Sequence, residues 1–309
     1  MKLLVTGGAG FIGSHFVEYI LSNTDHEVTT LDALTYAGSR SNLDGVIDHP
    51  RHRFVEGDIR SRELVNELMQ GVSAVVNFAG ESHVDNSVES AKPFASTNVV
   101  GTQTLLEAAS DHGIERYVQV STDEVYGEIL DGKFKESDRL NPRNPYAATK
   151  AGGGILALSY YHSHGLPVCV TRSSNNFGPR QHEEKFIPKL ITCTRDDETF
   201  PLYGDGSNVR DWIYVRDNCK AIETVLKNGI PGEVYNIGAG NEMTNAEMID
   251  EILALIESTD DHISLVKDRP AHDQRYALDT RKIRGLGWET EYAFDEALEK
   301  TVESYLEES

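Results

Sequence analysis

The sequence predicts an α/β protein, built as a doubly wound parallel sheet with a smaller C-terminal lobe. Three observations carry that prediction. Short β-branched runs alternate with helical stretches over the first half of the 309 residues, a glycine-rich turn joins the first run to the first helix, and the alternation loosens after about residue 175.

Lys2 to Thr6 is a short apolar run stopped by Gly7, and reads as the first strand. Phe11 to Ser22 follows as an amphipathic helix, with Glu27 to Asp32 and Phe54 to Gly57 as the second and third strands. Ser61 to Gln70 reads as a helix, Ala74 to Phe78 as a strand, Ala95 to His112 as one long helix and Tyr117 to Ser121 as a strand. Asn144 before Pro145 is a good helix start, an N-cap with proline at the first helical position, so Pro145 to Gly165 becomes a second long helix leading into the strand Val168 to Arg172. Further on, Thr244-Asn245-Ala246-Glu247 is a capping box, and Met248, Ile249, Ile252, Leu253 and Ile256 repeat behind it at helical spacing. The expected division is 1–173, with about 210–240 returning to it, and 174–309 as the lobe.

Asp and Glu number 50 against 29 Lys and Arg, a formal net charge of −21. Such a field repels phosphate backbones and anionic lipid surfaces, so neither nucleic acid nor membrane is an expected partner. The acids are spread over positions such as Glu18, Glu63, Glu107 and Glu251 that read as solvated helix faces. Adaptation to a high-salt interior, where self-repulsion is screened, is a second reading of the same excess. Cys169, Cys193 and Cys219 are odd in number and form no CxxC, which argues against both a disulfide framework and a metal cluster. No run approaches 18 apolar residues and the opening one is too short for a signal peptide, so a soluble cytoplasmic protein is expected.

Gly7, Gly10 and Gly13 fall between a strand and a helix, where missing Cβ atoms let the turn tighten and a pyrophosphate approach the helix N-terminus. Asp32, closing the second strand, stands where a carboxylate would accept hydrogen bonds from an adenosine ribose and repel a 2′-phosphate. This Rossmann-type signature predicts NAD as the cofactor. Tyr146 and Lys150, four apart, share a helix face, and an ammonium beside a phenol is expected to lower the tyrosine pKa toward neutrality. Asp123 and Glu124 follow Thr122 at the end of a strand, where successive side chains diverge and two carboxyl groups can reach different atoms of one substrate.

These features, with the blocks Asn77 to Asp85, Thr122 to Gly127, Ser174 to Pro179, Arg210-Asp211-Trp212 and Asp268 to Asp273, resemble the nucleotide-sugar branch of the extended short-chain dehydrogenases/reductases, and within it the dTDP-glucose 4,6-dehydratase family. The resemblance covers nearly the whole chain. It implies a lyase with recycled NAD: Tyr146, assisted by Lys150, takes the C4 hydroxyl proton as the C4 hydride leaves, and Thr122 donates a hydrogen bond to the new carbonyl. Glu124 then removes the C5 proton, Asp123 protonates the departing C6 hydroxyl, and the hydride returns to C6. Deoxysugar or rhamnose synthesis would consume the product.

The same resemblance implies a cofactor set of Gly7, Gly10, Phe11, Ile12, Gly13, Asp32, Leu34, Thr35, Asp58, Ile59, Ala79, Gly80, Ser82, Thr97, Tyr146, Lys150 and Asn176. The implied substrate set is His83, Thr122, Asn175, Lys185, Pro201, Tyr203, Arg210, Asn245, Arg269 and His272. Asn86 stands where the family commonly has arginine, Glu183 where it has proline, and the glycines 152–154 loosen the long helix by about 1 kcal/mol each.

Three other readings stay open. A UDP-glucose 4,6-dehydratase would use the same residues, a UDP-sugar 4-epimerase would not need Asp123 and Glu124, and an NAD-sensing regulator would need only the glycine turn. The helices near 95–112 and 145–165 carry Val99, Leu105, Leu106, Ile155, Leu156 and Leu158, and the resemblance implies a homodimer through them.

Overall fold

A computed structural model describes residues 1–268 and 272–307. Its main sheet holds seven strands in the order Val234–Ile237, Val168–Ser173, Arg116–Thr122, Ala74–Asn77, Lys2–Thr6, Glu27–Asp32 and His52–Glu56, every neighbouring pair parallel. Both faces of such a sheet need covering, and the first strand supplies both. Leu3 and Val5 enter one core with Phe16, Val17, Ile20, Ile222 and Val225, while Leu4 enters the other with Leu105, Leu106, Tyr117 and Val170. From Lys2–Thr6 the chain winds outward through Glu27–Asp32 and His52–Glu56, then crosses to Ala74–Asn77 on the opposite side. Adjacent connections thus part at the carboxyl ends of the two central strands, which is where doubly wound sheets open a ligand crevice. This is the Rossmann-type fold that the sequence predicts.

One long element differs from expectation. Instead of a single α-helix over 95–112, a π-helical segment, Ala95–Gly101, lies between the helices Ala91–Phe94 and Thr102–Asp111. The widened turn places Asn98, whose Oδ1 accepts the Glu81 N–H at 2.9 Å while its Nδ2 donates to Thr149 Oγ1 at 3.0 Å. π-Segments of this kind recur at functional sites. Across from it, Pro145–His164 runs unbroken through the three glycines. A Cβ on Gly153 would stand 2.6 Å from the Asn98 carbonyl oxygen, so the residue that weakens the helix is the one that lets the two elements touch. The start of that helix is as expected, with Asn144 Oδ1 accepting the Ala147 N–H at 2.8 Å.

Beyond the sheet, Glu242–Thr244, Val209–Tyr214 and Asn175–Phe177 form a three-stranded sheet, and Phe200–Tyr203 pairs with Ile263–Val266. Helices Phe186–Arg195, Asn245–Ile256 and Phe294–Glu307 pack on one another around them. The capping box at Thr244 and Glu247 is present with both of its hydrogen bonds. No helix among the described residues is long and apolar enough to cross a membrane.

Candidate active site

A cleft of about 570 Å³ runs along the carboxyl ends of the strands and between the sheet and the smaller lobe. One wall is the first turn. Gly7 has φ +70°, and a Cβ there would lie 2.5 Å from the Ala79 nitrogen; a Cβ on Gly13 would collide with the Gly7 carbonyl. Gly10 caps the helix Phe11–Asn23 without a side chain, so the first-turn N–H groups keep their donors for a ligand. Asp32 is buried, with Oδ2 accepting from Ala9 N at 2.8 Å and Oδ1 from Leu34 N at 2.9 Å. Each oxygen retains a further acceptor site. Burial pushes its pKa up, and the backbone donors pull it down.

All the expected cofactor residues line this cleft except Leu34. Leu34 turns instead onto the core, held by its backbone at φ +48°, and its contribution is the N–H it gives Asp32. Asp58 is gripped by the Arg60 guanidinium, which holds its carboxyl below the usual range. Asn176 donates to the Ser174 carbonyl at 3.0 Å, while its buried Oδ1 has no partner among the described residues. A glycine cradle, a ribose-facing carboxylate and an orphaned buried amide oxygen together fit a dinucleotide with a carboxamide-bearing ring.

Deeper in the cleft, Thr122 ends its strand and its hydroxyl organises the acids. It donates to Asp123 Oδ1 at 3.2 Å, accepts from Glu124 N at 3.3 Å and hydrogen-bonds the Tyr146 phenol. Asp123 is 3% exposed, and burial, then the neighbouring Glu124, push its pKa up to about 8. Its Oδ2 has no hydrogen-bond partner among the described residues. Glu124 is also raised by burial, but Asn144 Nδ2 donates to its Oε2 at 3.2 Å, and Arg210 and Lys185 pull it back. Burial raises both adjacent carboxyl groups, Asp123 enough to keep its proton at neutral pH, while the Asn144 amide and the Arg210 and Lys185 charges oppose the rise at Glu124.

The Tyr146 and Lys150 pair corrects the expectation. Burial, with Glu124 and Asp123 next, pushes the Tyr146 phenol above its ordinary value rather than toward neutrality. Lys150 Nζ donates to the Val120 carbonyl at 2.7 Å, and burial brings its pKa down to about 8. Both side chains do share the cleft with the acids.

Every expected substrate residue within the described chain lines the same cleft; Arg269 lies outside the described residues. Arg210 is buried over the Tyr276 ring at 4.5 Å and donates to the Asp273 carbonyl at 3.0 Å. Lys185 reaches the Ser82 carbonyl at 3.1 Å, and His272 Nδ1 lies 2.6 Å from Asp268 Oδ1. His83 Nδ1 caps the short helix Val84–Glu89, and its Nε2 lies 3.3 Å from Glu184. Among the side chains on the wall that escaped sequence reasoning as site residues are Asn144, Glu184, Asp273 and Tyr276. Asn144 was visible only as a helix cap, and nothing local marks Tyr276, which arrives from far along the chain.

The family model described as GDP-mannose 4,6 dehydratase matches residues 4–301. The chain belongs to this family. It is 61% identical to the low-salt glycan biosynthesis protein Agl12 of Haloferax volcanii, covering 99% of each chain. It is 49% identical to a dTDP-glucose 4,6-dehydratase of Streptomyces niveus, over 99% of this chain and 93% of that one. The crystal structure of DesIV, a dTDP-glucose 4,6-dehydratase from Streptomyces venezuelae solved with NAD bound, superposes with a TM-score of 0.98 at 50% identity, covering 99% and 97%.

Proposed function

We propose that this chain is an NAD-dependent dTDP-glucose 4,6-dehydratase, a hydro-lyase yielding dTDP-4-dehydro-6-deoxyglucose. The observation that carries the reading is the pair of adjacent carboxyl groups, Asp123 bonded by the Thr122 hydroxyl and Glu124 by the Asn144 amide, beside Tyr146 in a dinucleotide cleft. An oxidoreductase that only moved a hydride would have no use for them.

NAD, held by the Gly7–Gly13 turn, Asp32 and Asn176, supplies a hydride acceptor for C4, a donor for C6 and a positive charge in the cleft. Tyr146, with Lys150 in the same cleft, takes the C4 hydroxyl proton. Thr122 donates to the C4 carbonyl oxygen, so charge that develops there during enolisation is met by a fixed donor. Glu124, whose carboxylate the Asn144 amide and the Arg210 charge favour, removes the C5 proton acidified by the ketone. Asp123, still protonated, gives its proton to the C6 hydroxyl, which departs as water. Glu124 then returns a proton to C5.

Arg210, Lys185, Asn175, Asn245 and His272, with Arg269, hold the nucleoside diphosphate, with Pro201 and Tyr203 beside the base. Residues 1–173 and about 210–240 form the cofactor half of this arrangement, and the remainder the sugar-nucleotide half. The enzyme acts as a cytoplasmic homodimer. Val100 on the π-segment Ala95–Gly101 and Ile155 on the helix Pro145–His164, 51% and 56% exposed, support that assembly, whereas Leu105 and Leu106 are fully buried within the chain and leave the interface set. The net charge of −21 supports a high-salt interior.

Incubation with NAD and dTDP-glucose is expected to generate the alkali-absorbing 4-keto product. Glu124→Gln should abolish it while NAD binding persists. UDP-glucose run in parallel tests the base preference, and failure of every 4,6-dehydration assay in the wild-type protein would overturn the reading.

A further inference from the structure

The two catalytic acids sit on a single 3₁₀ turn, Asp123–Tyr126. A lone turn of this kind has poor hydrogen-bond geometry and little rigidity of its own, so its orientation must come from its ends. At the leading end, the Thr122 hydroxyl caps Glu124 N. The trailing end is held by an anchor that the reaction does not use.

Tyr126 is 1% exposed, and its hydroxyl is fixed twice. It donates to Asn236 Oδ1 at 2.8 Å and accepts from Arg172 Nη1 at 2.6 Å. Its ring stacks on Phe134 at 4.8 Å and 12°, and the Arg172 guanidinium lies 4.7 Å from the ring centroid. Arg172 and Asn236 are directly opposite each other on paired strands of the main sheet, and Arg172 is also the register partner of Ser121 on the strand that ends in Thr122. Asn236 Nδ2 donates to the Phe134 carbonyl at 3.0 Å, tying the loop back over the ring. The sheet that fixes the start of the turn therefore fixes its end as well.

We propose that Tyr126, Arg172 and Asn236 are positioning residues for the elimination step, setting the place of the Asp123 and Glu124 carboxyl groups through the turn they terminate. This rests on the dehydratase reading. None of the three lines the cleft. A displacement of about 1 Å in a reacting group costs up to a hundredfold in rate. The two carboxyl groups stand on the turn itself whereas Tyr146 stands on the helix Pro145–His164, so the anchor acts chiefly on loss of water and less on C4 oxidation.

The test is Tyr126→Phe in the full chain with NAD and dTDP-glucose, which keeps the stacked ring and removes only the doubly bonded hydroxyl. The expected result is kcat lower by about ten- to a hundredfold with KM within about twofold. Reduced nicotinamide, seen by its near-ultraviolet absorbance, should accumulate during turnover, because oxidation proceeds while elimination lags. Arg172→Lys, which keeps the charge but loses the flat fork, is expected to do the same to a smaller extent and serves where Tyr126→Phe does not fold. A lowered melting temperature with kcat unchanged would overturn the proposal, as would a lowered kcat with no build-up of reduced cofactor. A wild-type protein that makes no 4-keto product instead removes the dehydratase reading itself, so the two failures are distinct.

Discussion

Asp123→Asn should inactivate the enzyme and stabilise the fold, and the size of the second effect follows from the site. In the folded chain the carboxyl holds its proton up to about pH 8, against 3.8 for the ordinary group. At about 1.4 kcal/mol for each pH unit between 3.8 and 7, keeping that proton costs on the order of 4 kcal/mol of folding free energy at neutral pH. Asparagine has no proton to keep. Its amide would take the place of Oδ2, which has no partner among the described residues, and an unpaired buried donor costs about 1–3 kcal/mol. The difference leaves about 1–3 kcal/mol in favour of the variant, or roughly 2–5 °C in Tm for a chain of this length.

The pH dependence fixes the sign. Between about pH 4 and 8 the folded wild type binds one more proton than the unfolded chain, so its stability falls as pH rises through that window. The gap between variant and wild type should therefore be near its minimum at pH 4, widen steadily, and level off above pH 8. Differential scanning fluorimetry of both cofactor-free proteins across this range measures it. Turnover should drop by roughly 10²–10⁴ for loss of a general acid. A variant that melts below the wild type at pH 7 to 8, or a gap that does not widen with pH, would show that Asp123 is ionised in the fold and is not the acid.

Gly13→Ala places a methyl group against the Gly7 carbonyl, and calorimetric titration should show NAD bound at least about tenfold more weakly, the worth of one charge-assisted hydrogen bond. Asp32→Asn keeps an oxygen for the Ala9 or Leu34 N–H but removes the charge that repels a 2′-phosphate, so the NAD to NADP affinity ratio should fall by about tenfold; an unchanged ratio would place discrimination elsewhere. Val100→Glu combined with Ile155→Glu puts like charges on two exposed apolar positions, and sedimentation should then report a monomer of 34.3 kDa with the fold intact.

What was legible in the sequence divides along a physical line. Elements written in local chemistry could be read directly: the glycines that bring helix to phosphate, the Asn144-Pro145 start and the capping box at Thr244 each depend on residues within a few positions. Pairs brought together by one such element were legible as well, so Tyr146, Lys150 and the Asp123-Glu124 pair were found. Quantities set by the whole surroundings were not. Lys150 does lie four residues from Tyr146, yet the phenol titrates upward, because burial and the two carboxyl groups outweigh an ammonium that has given a donor to Val120. The π-segment at Ala95–Gly101 carries no local signal either, and the bonds its Asn98 makes go to Glu81 and Thr149, on two other parts of the chain. Tyr126 shows the same limit from the other side. In the sequence it is one more residue of a motif, and only the sheet register that sets Arg172 opposite Asn236 turns it into the anchor of the turn that holds the acids. A residue's identity can be read locally, but the direction in which its charge or its hydroxyl acts is decided by strands that meet only after folding.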